Sequence, residues 1–115
     1  MKLIYIAGSY SGDITKNVRK AIDTAEEIIK IGFAVYVPHL SHLWDLMSPH
    51  DYSFWIKNDN EILKVCDALF VINVYSNGIK REIELAEKYK IPLFISLNKL
   101  KEWEKKEREE KLENG

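Results

Sequence analysis

The sequence predicts an α/β fold: a single-domain doubly wound parallel sheet of four to five strands, of the flavodoxin or Rossmann type. Short apolar runs rich in β-branched residues alternate along the chain with amphipathic helical stretches, an order typical of βαβ units. These runs are apolar throughout, as expected of strands that are buried on both faces. The length of 115 residues suits one domain.

Each element follows from a local pattern. Apolar runs predict strands over residues 3–7, 33–37, 68–74 and 92–97. Apolar residues at helical spacing predict helices over residues 14–31, 52–65 and 79–89. Gly32 ends the first helix and Pro38 closes the second strand. Residues 39–52 are rich in His, Trp, Pro and Ser, and we expect them to form an irregular loop with one short helix. We assign residues 1–98 to the α/β domain and residues 99–115 to a charged C-terminal helix.

Composition limits the classes of function. The chain has 17 basic and 18 acidic residues, so no bulk charge favours nucleic acid or an anionic membrane. The single cysteine, Cys66, excludes an internal disulfide and a cysteine-only metal cage. No secretory signal is predicted from these residues, and no apolar run among them approaches the roughly 18 residues that a membrane span requires. We therefore expect a cytoplasmic protein.

One predicted helix carries a charge on its apolar side. At about 100° per residue, residues 79–89 form one apolar arc, and Glu82 lies inside it between Ile79 and Ala86. The other charged residues of the helix are predicted to face away: Lys80, Arg81, Glu84, Glu87 and Lys88. Glu82 also lies in the first helical turn, where free N–H groups and the helix dipole favour an anion. It is therefore a capping residue or a candidate nucleophile.

The preceding helix repeats this anomaly. In the projection of residues 52–65, Asp59 lies inside the apolar arc, between Trp55 and Cys66. Burying a carboxylate without a partner costs several kcal/mol, on the order of 3–5. A structural contact with a Lys, an Arg or a backbone N–H explains either carboxylate alone equally well. The pair on consecutive helices, near the carboxyl ends of the strands, favours a catalytic site.

Two small loops follow predicted strands. Residues 8–12 (GSYSG) lie between the first strand and the first helix, and residues 76–78 (SNG) follow the third strand. Glycine lets the backbone approach a ligand, and a helix N-terminus supplies N–H donors. The first loop matches neither the dinucleotide motif nor the P-loop, and a Ser-capped tight turn explains it equally well. Together the loops predict a cradle for a sugar and a phosphate, formed by Gly8, Ser9, Ser11, Ser76 and Gly78.

Histidines and aromatic residues add further candidates. His39, His42 and His50 lack the spacing of a metal site, so no metal is predicted. Four aromatic residues either line a flat apolar pocket for a base or cap the core beneath a long loop: Tyr10, Trp44, Tyr52 and Trp55.

Three blocks of residues together indicate a family. Residues 5–10 (YIAGSY) form a strand that runs into a Gly-Ser loop. Asp59 is followed eight residues later by Asp67, at the start of another strand. Residues 76–86 (SNGIKREIELA) match the pattern S/D-x-G-x-x-x-E-x-x-x-A. In order and spacing, these blocks resemble the nucleoside 2-deoxyribosyltransferase superfamily. That group includes the transferases and the hydrolases that cut the N-glycosidic bond of nucleoside 5′-monophosphates.

The resemblance implies roles for particular residues. Glu82 would be the nucleophile, and Asp59 would position the sugar and manage the proton on the base. Transferases usually carry Asp at the position of Ser76, whereas monophosphate hydrolases carry Ser, so Ser76 implies a phosphorylated substrate. Lys80 departs from the family, which usually has a glycine there. The substrate-binding residues implied are Tyr5, Gly8, Ser9, Tyr10, Ser11, His39, Trp55, Ser76 and Gly78.

The implied function is an N-glycosidase that hydrolyses a (deoxy)nucleoside 5′-monophosphate through a covalent glycosyl-Glu82 intermediate, without a cofactor. Retaining glycosidases work similarly, with two carboxyl groups about 5 Å apart. One alternative is a nucleoside 2-deoxyribosyltransferase that acts on free deoxynucleosides. Another is a non-catalytic module that binds a nucleotide or a sugar phosphate. Members of the superfamily are usually homo-oligomers, so we expect a homodimer or a larger assembly, with neither a nucleic acid polymer nor a membrane as partner.

Overall fold

The computed structural model describes residues 1–9, 12–72 and 79–114. The strands in these ranges are β1 (Leu3–Ala7), β2 (Ala34–Tyr36), β3 (Ala68–Val71) and β4 (Leu93–Phe94). The α-helices are α1 (Ile14–Ile31), α2 (Ser41–Met47), α3 (Tyr52–Val65), α4 (Lys80–Lys88) and α5 (Leu97–Asn114). A 3₁₀ turn over Pro38–Leu40 leads into α2. None of the helices in the described ranges has the length and apolar character that crossing a membrane requires.

The strands form one parallel sheet in the order β2-β1-β3-β4. Tyr5 in the central strand β1 pairs with Tyr36 on one side and with Leu69 on the other. The predicted doubly wound parallel α/β fold is thus confirmed, with four strands. The chain passes from β1 to β2 on one side of the sheet and then returns to place β3 on the other side of β1. The strand order therefore reverses at β1. Ligands of such sheets bind at the carboxyl ends of the strands, near this reversal.

The core has two layers, one on each face of the sheet. Alternate residues of β1 point to opposite faces: Ile4 and Ile6 pack in one cluster, and Tyr5 and Ala7 in the other. The first cluster also contains apolar residues of α1 and α5, and the second contains residues of α3 and α4. Helices therefore cover both faces, which explains why the strands are apolar throughout.

Two strands are shorter than predicted. The strand expected over residues 33–37 spans Ala34–Tyr36, because the Phe33 amide donates to the Ile28 carbonyl at the end of α1 instead of joining the sheet. The strand expected over residues 92–97 is reduced to Leu93–Phe94 at the sheet edge, and α5 begins at Leu97. The third strand ends at Val71; Ile72 lies just beyond the strand, and the last two residues of the predicted range, 73–74, lie outside the described residues.

Helix α5 starts two residues before the predicted boundary and packs its first turns on the sheet. Leu100 is completely buried in the first core cluster. The Trp103 ring lies 5.8 Å from that of Phe33 and 5.0 Å from that of Phe94, measured between centroids. The division between residues 1–98 and 99–115 stays a prediction, but the start of this charged helix contributes apolar side chains to the core.

Replacing Leu100 should therefore destabilise the fold strongly. We expect Leu100→Ala to lower the free energy of unfolding by about 2–5 kcal/mol, since it removes buried methyl groups and leaves a cavity. Urea denaturation followed by tryptophan fluorescence measures this loss. Leu112→Ala is the matched control on the same helix, where the side chain is 78% exposed, and should change stability by less than about 0.5 kcal/mol. Similar losses in the two variants would contradict this packing.

Candidate active site

A cavity of about 480 Å³ opens at the carboxyl ends of the central strands. One wall follows β1 and β2, a second comes from α2 and the start of α3, and a third comes from α3 and the first turn of α4. The lining residues are Gly8, Pro38, His39, Ser41, His42, Asp45, His50, Tyr52, Trp55, Ile56, Asp59, Arg81 and Glu82. Its volume lies within the range of roughly 300–1,000 Å³ that is typical of small-molecule sites.

Glu82 borders this cavity from the first turn of α4. Its side chain is only 12% exposed, and the Arg81 Nη2 donates to its Oε1 over 3.1 Å. Oε2 is buried without a hydrogen-bond partner among the described residues. Burial raises the pKa of the Glu82 carboxyl; the Arg81 charge opposes this rise, while the Asp59 charge adds to it. Glu82 is thus a desolvated carboxyl group with one uncommitted oxygen.

Asp59 borders the same cavity from α3. The Tyr36 hydroxyl donates a hydrogen bond of 2.9 Å to its Oδ1. Burial raises the pKa of the Asp59 carboxyl, and the hydrogen bond from Tyr36 and the charge of Arg81 act in the opposite direction. The two carboxylates that helical projection singled out therefore line one cavity, and the charge of Asp59 contributes to the raised pKa of Glu82.

The Tyr5 hydroxyl does not line the cavity, but it lies close enough to both carboxylates for their charges to affect its ionisation. It is buried and has no hydrogen-bond partner among the described residues. Burial, followed by the charges of Asp59 and Glu82, raises the pKa of Tyr5, which therefore stays protonated. The ring packs 5.4 Å from that of Tyr36, its neighbour across the sheet. Buried polar atoms without partners are rare, so this hydroxyl is a donor held available at the site.

Gly8 allows the loop after β1 to pack closely against the turn after β2. A Cβ at this position would lie 3.1 Å from the Ile72 Cδ1 and 3.4 Å from the His39 Nε2. His39 is buried, and its Nε2 lies 3.1 Å from the Ser9 carbonyl oxygen. Because a carbonyl only accepts, Nε2 must carry the proton that it donates. Burial lowers the pKa of His39, so the ring is neutral at physiological pH.

The outer wall is aromatic and is held by one carboxylate. Asp45 Oδ1 accepts hydrogen bonds from the Trp55 Nε1 at 2.7 Å and from the His50 backbone at 2.9 Å. These bonds tie α2 to α3, and the one from Trp55 is the main reason that the pKa of Asp45 is lowered. The Trp55 ring packs against those of Trp44 and Phe54, at centroid distances of 5.7 and 5.0 Å. A flat ligand can lie against this wall.

Comparison with family models gives one match, to a domain of unknown function (DUF7768), over residues 2–96. The chain belongs to the DUF7768 family. The matched range includes the whole sheet and every residue that lines the cavity. Comparison with functionally curated proteins gives no significant match.

Two solved structures share the fold of this DUF7768 domain. A 2-deoxyribosyltransferase from Bacillus psychrosaccharolyticus matches with a TM-score of 0.59 and 20% identity, over 79% of this chain and 69% of the other. A conserved protein from Enterococcus faecalis V583 matches with a TM-score of 0.67 and 23% identity, over 81% of this chain and 61% of the other. The chain thus spans less than two thirds of the Enterococcus protein. At these identities, the likeness establishes that the DUF7768 domain has the deoxyribosyltransferase fold.

The structure brings together most of the described residues that were predicted to form the site. Gly8, His39, Trp55, Asp59 and Glu82 line the cavity, whereas Tyr5 does not line it but interacts electrostatically with Asp59 and Glu82. Ser9 instead borders a smaller neighbouring cavity of about 130 Å³. The remaining predicted residues lie outside the described ranges: Tyr10, Ser11, Ser76 and Gly78. The roles assigned to all of these residues stay predictions.

Sequence reasoning missed several site residues, among them Asp45, Arg81 and Tyr36. Arg81 was predicted to face away from the apolar arc, but its side chain lines the cavity and pairs with Glu82. The projection was wrong because it follows the Cβ direction, whereas a long side chain in a first turn can bend along the helix. Tyr36 was not considered, although strict alternation in β2 would have placed it on the sheet face of Tyr5.

Proposed function

We propose that this DUF7768 domain is an N-glycosidase that hydrolyses the N-glycosidic bond of a (deoxy)nucleoside 5′-monophosphate. The observation that carries the proposal is the pair of desolvated carboxyl groups, Asp59 and Glu82, on one cavity at the carboxyl ends of the sheet. Paired carboxyl groups flanking one bond are the usual machinery for cleaving glycosidic bonds.

The surroundings of the two groups favour different roles. Glu82 has a guanidinium 3.1 Å away, which favours its ionised form. Asp59 receives its short contact from the neutral Tyr36 hydroxyl. Burial is the largest influence on the ionisation of both carboxyl groups, so what distinguishes them is the direct partner, an ion pair for Glu82 and a neutral hydrogen bond for Asp59. Carboxyl groups whose environments differ in this way divide into a nucleophile and a proton carrier. This supports Glu82 as the nucleophile and Asp59 as the proton carrier.

The reaction then proceeds in two displacements at C1′. A carboxylate oxygen of Glu82 bonds to C1′ while the bond from C1′ to the base nitrogen breaks. The electron pair of that bond leaves with the base, which takes a proton from Asp59. Water next attacks C1′ and gives a proton to Asp59, and the ester bond to Glu82 breaks. One water is consumed, and the products are the free base and the sugar 5-phosphate.

The choice of a phosphorylated substrate rests on the family resemblance at position 76, where a serine hydroxyl can hydrogen-bond a phosphate that an aspartate would repel. Mass spectrometry of the base released from a panel of ribo- and deoxyribonucleoside 5′-monophosphates tests the proposal. We expect release from at least one monophosphate at a rate well above that of the matching nucleoside. Absence of release from the entire panel would reject hydrolysis.

A second candidate is a nucleoside 2-deoxyribosyltransferase, favoured by the fold shared with the Bacillus enzyme of that name. The first displacement would be the same, but the base of a second molecule would resolve the intermediate in place of water. Incubation of a free deoxynucleoside with a different base discriminates between the two activities. A new deoxynucleoside in the mixture would favour the transferase, and sugar phosphate from a monophosphate would favour the hydrolase.

We also propose that the chain self-associates through α2, next to the cavity. This helix has no buried side chain, and Leu43, Trp44, Leu46 and Met47 are between 61% and 79% exposed. Contiguous exposed apolar surface usually marks an interface. Leu43→Glu combined with Leu46→Glu should shift the molar mass measured by light scattering from that of an oligomer to that of a monomer. The control Leu112→Glu, on the exposed end of α5, should leave the mass unchanged, and a monomeric wild-type chain would contradict the proposal.

A further inference from the structure

We propose that Arg81 is the residue that selects a phosphorylated substrate: its guanidinium binds the 5′-phosphate and releases Glu82 for attack on C1′. This inference rests on the function proposed for the same cavity. It assigns to Arg81 a role that the family resemblance does not provide, because the resemblance involved serines and glycines of the two loops.

The charges around the cavity require a cation for such a substrate. Three carboxylates line the described walls, Asp45, Asp59 and Glu82, and together they repel an anion. Arg81 is the only lysine or arginine among the described lining residues. The loop residues outside the described ranges, 10–11 and 73–78, contain neither residue type. A phosphate that enters this cavity therefore has one guanidinium with which to pair.

The Arg81 guanidinium uses only part of its hydrogen-bonding capacity among the described residues. Its Nη2 donates to Glu82 Oε1, while its Nε is buried without a hydrogen-bond partner among the described residues. Nε–H and Nη2–H together form the edge of a guanidinium that binds two oxygens of a phosphate. Because Nε is closed to solvent in this structure, a phosphate would reach this edge only by displacing Oε1 from Nη2, and it would then satisfy Nε as well. Glu82 would then give up the hydrogen bond from Nη2 while the guanidinium charge stays close by, so the carboxylate remains ionised and becomes free to attack.

A nearby cation offers a competing site that an experiment can separate. Lys20 borders the smaller cavity, which shares Gly8 with the main one and also contains Ser9 and Asn17. A phosphate bound there would depend on Lys20, whereas a phosphate bound as we propose depends on Arg81. Lys80 provides a control position at which the loss of a positive charge should have no effect, because it precedes Arg81 on the same helix and is exposed.

Calorimetric titration with a panel of deoxynucleoside 5′-monophosphates, and with the matching nucleosides, tests the inference. All chains carry Asp59→Asn, which slows consumption of the ligand. We expect Arg81→Met to weaken monophosphate binding by about tenfold to 150-fold, the size of a charged hydrogen bond, and to change nucleoside binding less than about threefold. Arg81→Lys should recover only part of the lost affinity, because lysine lacks the paired N–H donors of a guanidinium. Lys80→Met should bind monophosphates with the affinity of the parent chain.

Three results would overturn the inference. Equal weakening of monophosphate and nucleoside binding by Arg81→Met would reduce Arg81 to a structural partner of Glu82. Loss of monophosphate binding in Lys20→Met, with Arg81→Met unaffected, would place the phosphate in the smaller cavity. A parent chain that binds monophosphates no better than nucleosides would exclude phosphate selection altogether. Arg81-dependent binding without base release by the wild-type chain would instead reject the hydrolase and leave the selection of a phosphorylated ligand by Arg81 standing.

Discussion

Glu82→Ala is expected to reduce base release by about 10⁴-fold or more, since losing a nucleophile removes the covalent route and leaves only binding and positioning. The buried carboxyl group, with one oxygen paired to Arg81 and one uncommitted, is the basis for this expectation. Initial rates of base release, measured by mass spectrometry on the best substrate of the panel, provide the test.

A neighbouring carboxylate supplies the control for this effect. Glu84 lies two residues further along α4 and is exposed, so Glu84→Ala should leave the rate within about twofold of wild type. A small external nucleophile such as azide fits the space left in Glu82→Ala and should restore part of the base release. Undiminished release by Glu82→Ala would show that another group performs the attack.

The isosteric variant Glu82→Gln should make the chain more stable, not less. Burial raises the pKa of Glu82, so the folded chain binds a proton at this position more tightly than the unfolded chain does. Ionised Glu82 therefore costs stability above that raised pKa, and the cost fades as pH falls through it. Glu82→Gln should raise the free energy of unfolding at neutral pH by about 0.5–2 kcal/mol, with a smaller gain at acid pH. Urea denaturation at several pH values measures both trends.

Asp59→Asn should produce the second-largest effect, a fall in kcat of about 10²–10³-fold, because the departing base loses its proton donor. The Tyr36 hydrogen bond to Oδ1 can persist in the amide, so the variant removes the proton without removing the side chain. Steady-state kinetics on the same substrate measures the change. Glu61→Gln, an exposed position on the same helix, should behave as wild type.

The pH profile separates this role from a structural one. Glu82 must be ionised and Asp59 protonated, which predicts a bell-shaped dependence of kcat/KM on pH. Burial raises both carboxyl pKa values, so the acid limb should lie above the ordinary Glu value of about 4.3. Asp59→Asn should lose the alkaline limb and keep the acid limb. A bell shape that persists in Asp59→Asn would assign the proton to another group.

Hydrophobic periodicity alone was enough to predict the sheet, its flanking helices and the two inward carboxylates. β1 and helices α1 and α3 occur at their predicted bounds, because long amphipathic or fully apolar segments have a single way to bury their surface. Asp59 and Glu82 were identified from the same periodicity, since a charged residue inside an apolar arc must be buried with the rest of that arc. Short edge strands were predicted less well, because competing caps and turns decide where they end.

Only the tertiary structure decided how the site is assembled. The sequence could not show that Arg81 bends toward Glu82, because a helical projection gives the direction of each Cβ but not the path of a long side chain. Nor could it show that Tyr36 meets Asp59, because that contact joins a strand to a helix 23 residues further along the chain. Local periodicity determines which face a residue occupies, whereas packing between elements determines what it meets there.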